Sequence, residues 1–308
     1  MAWGDVRNMR SQIYKTLGLS LFAMVMLILV VLFPRDLDIS VVGYGIHAEY
    51  HFSWEKYANN IKTFLHGIFY EQTLGPTRYE GETAEAAVAR TVMNSMAVIV
   101  TAFVLSMGLG ILKGIFDYQS SDRKTKWLGG MTTWLFQSIP DFLLILIYQW
   151  IILNYFPFVH IFAEEGWEAW VFPTLLLSIY PTFYIARITS ASISAQEGLL
   201  YIKVAQAKGL SRTRIMYKHV LKNCMSTILS HLSSLFVYML SNLLIIEYFS
   251  NFPGAANRLF IAIDYDLYFG AGANYEPSVI IGICFCFMVL LVIAQLVSII
   301  SKYKSGLR

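Results

Sequence analysis

The chain has 308 residues, of which 56% are hydrophobic and only 14% charged, with a mean hydropathy of +0.55. So little polar surface cannot cover a water-soluble core of that size, and part of the protein must face membrane lipid. The net charge of +3 does not mark a nucleic-acid binder, because the basic residues sit where membrane topology wants them.

A helix needs about 20 mostly apolar residues to cross the hydrocarbon core. Six runs qualify, at residues 17–33, 92–116, 128–156, 169–190, 228–250 and 278–301. A transmembrane barrel would show short alternating segments instead of these continuous runs. The expected fold class is therefore all-α, a polytopic membrane protein of about six transmembrane helices.

Residues 1–16 form a short basic segment carrying Arg7, Arg10 and Lys15. The first run, 17–33, has the shape of a signal peptide's apolar core, but Phe33-Pro34-Arg35-Asp36 follows where small residues would mark cleavage. It reads as a retained spanning anchor. Residues 34–91 make the longest soluble segment. Within it Trp54, Tyr57, Ile61, Phe64, Leu65, Ile68 and Phe69 recur at spacings near three and four, the pattern of an amphipathic helix on the outer membrane face or against an external partner. His47 and His51 also lie there, and two ligands are too few for a metal site.

Residues 92–301 hold the other five runs. In the second, Ser106, Gly110 and Gly114 recur every four residues, a ridge of small side chains that lets another helix approach closely. Pro140 interrupts the third run and Pro173 and Pro181 the fourth, each removing a backbone donor and predicting a kink. Asp141 follows Pro140, and Glu247 stands near the outer end of the fifth run. Ionised groups in hydrocarbon are costly, so both are candidate pathway or gate residues, with a structural role for Glu247 the alternative. Cys224, Cys284 and Cys286 show neither disulfide nor zinc spacing. Residues 302–308 form a basic tail.

With the N-terminus inside, all but six of the 23 Lys and Arg residues fall on the inner side. The outer segments carry most of the carboxylates. This positive-inside bias places both termini, and the loop at 191–227, in the cytoplasm. Within that loop residues 197–208 suit a short helix. Gly209 permits the left-handed conformation that ends it, and Ser211 is placed to cap a second helix from Arg212. Ala205 and Ala207 keep the turn slim enough to enter a groove, with Lys208 and Arg212 beside it. No phosphate-binding loop, His-Glu-x-x-His or Gly-x-Ser-x-Gly pattern occurs, so catalysis by this chain is not expected.

These residues resemble the cytoplasmic coupling loop of ABC importer permeases of the oligopeptide, dipeptide and nickel branch, matching at Tyr201, Ala205, Ala207, Lys208, Gly209, Leu210, Ser211, His219, Val220, Leu221 and Asn223. Three further stretches resemble the same family. They are Arg90, Thr91 and Asn94 before the second run, Ser138-Ile139-Pro140-Asp141-Phe142 in the third, and Glu247, Asn251, Phe252, Pro253 and Gly254 after the fifth. The sequence departs from the pattern at Lys203, Gln206 and Thr227, and residues 269–277 look like an insertion. The resemblance implies a permease fold and an ATPase-coupling interface at Val204, Ala205, Gln206, Ala207, Lys208, Gly209, Leu210 and Ser211. It implies a second related permease, two cytoplasmic ATP-binding subunits holding ATP and Mg, and an external solute-binding protein. No cofactor is expected on this chain, and peptide is favoured over nickel as the solute. An ATP-independent transporter or channel would instead show inverted repeats, which are not evident. A membrane sensor without net transport is the third class.

Overall fold

A computed structural model describes residues 3–35, 37–42, 45–121, 127–156, 166–263 and 275–305. Its elements, in order, are α1 (Trp3–Val31), β1 (Leu37–Val42), β2 (Gly45–Tyr50), α2 (Trp54–His66), α3 (Ala84–Ser120), α4 (Gly130–Ser138), α5 (Asp141–Tyr155), α6 (Trp167–Ser194), α7 (Leu200–Ala207), α8 (Arg212–Ile215), α9 (Leu221–Ser230), α10 (Leu232–Phe249), α11 (Ala255–Ile263) and α12 (Pro277–Ser305). A π-helical turn, Gly67–Glu71, extends α2, and another, Met216–Val220, joins α8 to α9. Among the described residues five helices are long and apolar enough to span a membrane: α1, α3, α6, α10 and α12.

The third apolar run is divided between α4 and α5, which count as a sixth span only if the bent pair crosses the membrane as one. The expected kink at Pro140 is a complete break, with the two helix axes bent by 100°. A residue preceding proline is pushed out of the helical region, and Ile139 is extended at φ −81°, ψ 128°. Pro140 is also extended in ψ, at 138°, and its carbonyl accepts from the Leu143 and Leu144 amides at 3.0 and 3.1 Å, starting α5 afresh. At 1.5 Å per residue α4 and α5 are about 14 and about 23 Å long, each short of the roughly 30 Å hydrocarbon core. Pro173 and Pro181 have no such effect, for α6 runs through both.

The chain divides into two compact units. The first contains residues 3–16, 97–252 and 291–305 among those described. The small-residue ridge of α3 packs there against α6. Ser106 is fully buried and its hydroxyl donates to the Ser178 carbonyl at 3.1 Å. A Cβ on Gly110 would lie 2.7 Å from Ile185 Cβ, and one on Gly114 2.5 Å from Thr189 Cβ and 2.6 Å from the Ala186 carbonyl oxygen. The ridge thus has the close-packing role its spacing predicts.

The second unit contains residues 17–96 and 253–290. Its core includes Met24, Val31, Phe64, Val88, Ala262 and Ile283. The last carbonyls of a helix lack intrahelical donors, and here side chains supply them. Tyr57 donates to Leu29 O at 2.9 Å, Tyr275 to Val31 O at 3.0 Å and Asn60 to Leu32 O at 3.2 Å. The amphipathic stretch resolves into an inner stripe of Tyr57, Ile61, Phe64 and Ile68 packed on this core, while Trp54, Leu65 and Phe69 are exposed. The antiparallel hairpin β1–β2, with Val42 opposite Gly45, precedes α2 in a stretch to which the sequence reading assigns no element. His47 lies on β2, opposite Ser40. Residues 264–274, most of the apparent insertion, lie outside the described residues.

Candidate functional site

The segment from α7 to α9 is built as a hairpin around Gly209. Helix α7 ends in paired bonds, Leu210 N to Ala205 O at 3.2 Å and Gly209 N to Gln206 O at 2.9 Å. This six-to-one and five-to-two pattern is a Schellman motif, which needs a left-handed residue after the helix. Gly209 supplies it at φ +74°. Ser211 is extended at φ −62°, ψ 147°, and its hydroxyl accepts from the Arg214 amide at 3.3 Å, capping α8.

Hydrophobic side chains fix the hairpin to its base. Ala205, Ile215, Val220 and Cys224 are buried with Ile115 of α3 and Ile193 of α6, and Ile202 and Leu210 pack on the edge. Tyr201 donates to Gln196 Oε1 at 2.8 Å, and Tyr118 donates to the Glu197 carboxylate. Burial pushes the Cys224 thiol up to about 11, so it stays protonated as a packing residue.

The eight residues expected at the coupling interface separate into two faces. Val204 is 48% exposed, and Gln206, Ala207, Lys208, Gly209 and Ser211 are also exposed. Leu210 is half-buried, and Ala205 is 6% exposed. Ala205 therefore belongs to the base and not to the tip: its small side chain lets α7 lie close on the cluster. Lys203, Lys208, Arg212, Arg214, Lys218 and Lys222 are all exposed, and none is in an ion pair with a described residue. Ile115 and Ile193 were not among the sequence candidates, since nothing in their own runs links them to residues 205–224.

The two acidic candidates fare differently. Asp141 opens α5, and its side chain lies outside the described residues. Glu247 has no solvent exposure and lies inside the protein's own packing. Its carbonyl accepts from the Phe252 amide at 3.0 Å, closing a turn in which Asn251 is left-handed at φ +52°. Phe252 is 2% exposed and meets Trp170 edge-on at 5.4 Å. The next residues of that motif are tied to the one before the second run. Asn94 Nδ2 donates to Pro253 O at 2.8 Å, and the fully buried Ser95 hydroxyl accepts from Ala255 N at 2.7 Å. Among the described residues no group of three or more His, Cys, Asp or Glu side chains could hold a metal ion.

Residues 106–303 match the family of binding-protein-dependent transport system inner membrane components. The oligopeptide transport system permease OppB of Escherichia coli K12 is 29% identical over 234 residues, 70% of this chain and 71% of that protein. The dipeptide transport system permease DppB of Lactococcus lactis is 26% identical over 227 residues, covering 72% and 71%. A solved chain of the MetNI methionine ABC transporter, in an inward-facing conformation, superposes with a TM-score of 0.53 over 72% of this chain and 96% of its own, at 15% identity. That likeness is one of fold. The family match extends over more than half the chain and includes the whole 200–230 hairpin, so this multi-pass membrane protein belongs to the binding-protein-dependent transport system inner membrane components, the permeases of ABC importers.

Proposed function

We propose that the chain is the membrane-spanning permease of an ATP-driven importer of di- or oligopeptides, and that the 204–211 turn is its point of attachment to the ATPase. The peptide assignment is supported by the relatives, which are named as oligopeptide and dipeptide permeases. The Lys and Arg distribution supports cytoplasmic N- and C-termini and a cytoplasmic hairpin. The complex then contains a second related permease, two cytoplasmic ATP-binding subunits that hold ATP and Mg, and an external binding protein that delivers the solute.

One observation carries the coupling assignment: a rigidly capped turn with an exposed basic rim, set on a buried cluster shared with α3 and α6. A turn held that way moves with the spanning helices. When ATP closes the ATPase pair, motion of a gripped hairpin is transmitted as a rigid body and switches the access of the path. Hydrolysis releases it. The energy enters at the partner's nucleotide site, and this chain contributes the lever and the path.

Gly209→Val tests the assignment. A Cβ at Gly209 meets nothing within 4 Å, so the substitution causes no clash inside the chain. It forces a β-branched residue into the left-handed region at a cost of about 1–2 kcal/mol. The expected result is a normal amount of protein in the membrane and at least tenfold slower ATP-driven peptide uptake in proteoliposomes. Gly209→Asn, which tolerates that conformation, retains most uptake. Wild-type uptake by Gly209→Val at normal protein level overturns the lever.

A further inference from the structure

The first unit contains a cavity of about 790 Å³ between the ends of α3 and α6 and the length of α4. That volume is in the range of small-molecule sites, and neither the lever nor the close-packed ridge makes use of it. One wall is apolar and aromatic. Trp127, Met131 and Trp134, spaced four and three residues apart, line it and are 68%, 49% and 65% exposed. Indole rings at the ends of spanning segments favour the boundary between headgroup and acyl chain.

The other wall is polar and positive. Arg187 lines the cavity and is exposed. Its guanidinium lies 5.9 Å from the Tyr184 ring centroid and has no ion pair with a described residue. The lining acid does not neutralise it, because the Asp117 carboxylate is occupied by Lys113 and by the Thr133 hydroxyl at 2.5 Å. Gln137, also in the lining, has a buried side-chain nitrogen with no hydrogen-bond partner among the described residues. A buried donor left unmade calls for an acceptor, and Ser190 adds a hydroxyl to the same lining.

We infer that this cavity binds an anionic glycerophospholipid of the inner leaflet, an inference that rests on the cytoplasmic orientation proposed for the hairpin. The phosphate accepts from Arg187, Gln137 and Ser190. The glycerol and acyl chains lie along the Trp127–Trp134 wall, which a free phosphate would leave exposed.

Native mass spectrometry of the transporter complex in detergent tests this, with phosphatidylglycerol and phosphatidylcholine titrated separately and neither ATP nor peptide present. The wild-type complex is expected to retain phosphatidylglycerol at least fivefold better than phosphatidylcholine. Arg187→Gln, at unchanged subunit stoichiometry, should abolish that preference. Gln137→Leu, which keeps the side-chain size and adds no charge, should reduce it and serves if Arg187→Gln fails to assemble. Equal retention of the two lipids, or an undiminished preference in the variants, overturns the site. Displacement of the lipid by millimolar inorganic phosphate overturns it as well, by making a free anion the occupant. Peptide uptake is measured in parallel, so that loss of transport with lipid retention intact counts against the transport reading alone.

Discussion

Charged groups are used in opposite ways at the 200–230 hairpin and at the junction of α11 and α12. The hairpin is held by apolar packing and backbone caps, with its six basic residues turned outward. At the other site Arg258 and Glu276, each 5% exposed, form a two-pronged ion pair at 3.0 and 2.6 Å. Arg78 approaches the same carboxylate at 3.5 Å, and its backbone amide donates to it at 3.3 Å. One carboxylate thus fastens α11 and the 76–83 loop to the start of α12. On the proposed coupling role, the hairpin keeps its charge in water for a partner, whereas the α11–α12 junction neutralises its charge internally.

The largest expected effect breaks the internal side of that contrast. Glu276→Ala leaves Arg258 buried without its counter-charge, a change that typically costs about 3–5 kcal/mol. The variant should show a sharply lower thermal midpoint in detergent and reduced amounts in the membrane. Arg258→Met combined with Glu276→Leu should recover much of that loss, since an apolar pair of similar volume avoids the stranded charge. If the single variant is as stable as the wild type, the pair is not a fastening at all.

The next effect concerns the base of the hairpin. Gly114→Ala places a methyl group 2.6 Å from the Ala186 carbonyl oxygen and against Thr189, and backbone cannot yield as a flexible side chain would. Overpacking of this kind costs about 1–3 kcal/mol. Because Ile115 and Ile193 adjoin the contact and lie in the hairpin's cluster, uptake should fall along with the thermal midpoint. Gly108→Ala on the same helix meets nothing within 4 Å and should change neither. Equal tolerance at the two glycines would separate the hairpin from the helix packing beneath it.

Much of this architecture is legible in the sequence because membrane solvent makes its elements simple. Long apolar runs must close their own hydrogen bonds as helices, and Gly209 with Ser211 writes the turn directly, since few other residues satisfy those dihedral angles and caps. What the sequence conceals is pairing across long separations. Nothing in the neighbourhood of Ala205 says that it packs on Ile115 and Ile193, and Glu276, within the apparent insertion, gives no sign that it will meet Arg258. Glu247 is another case: an acid in an apolar run leaves a path and a structural role both open, and only the packing around it shows its full burial. The hairpin β1–β2 was masked by the helical periodicity that follows it, although Leu37, Ile39 and Val41 alternate with polar residues over its first strand.

The smallest effect sharpens the outward side of the contrast. Ser211→Ala removes the hydroxyl that accepts from the Arg214 amide, a cap worth about 1 kcal/mol. If the hairpin is a rigid unit built from local caps and one apolar cluster, that loss stays local. Amide exchange at Arg214 should quicken about fivefold, with the thermal midpoint of the whole protein nearly unchanged. Ser211→Asp, another good cap, should restore slow exchange. Exchange that does not respond to Ser211→Ala would mean the cluster alone fixes the turn. A large fall in the global midpoint would mean that the turn holds the helices together, and the distinction between a surface kept for a partner and a fastening inside the chain would no longer stand.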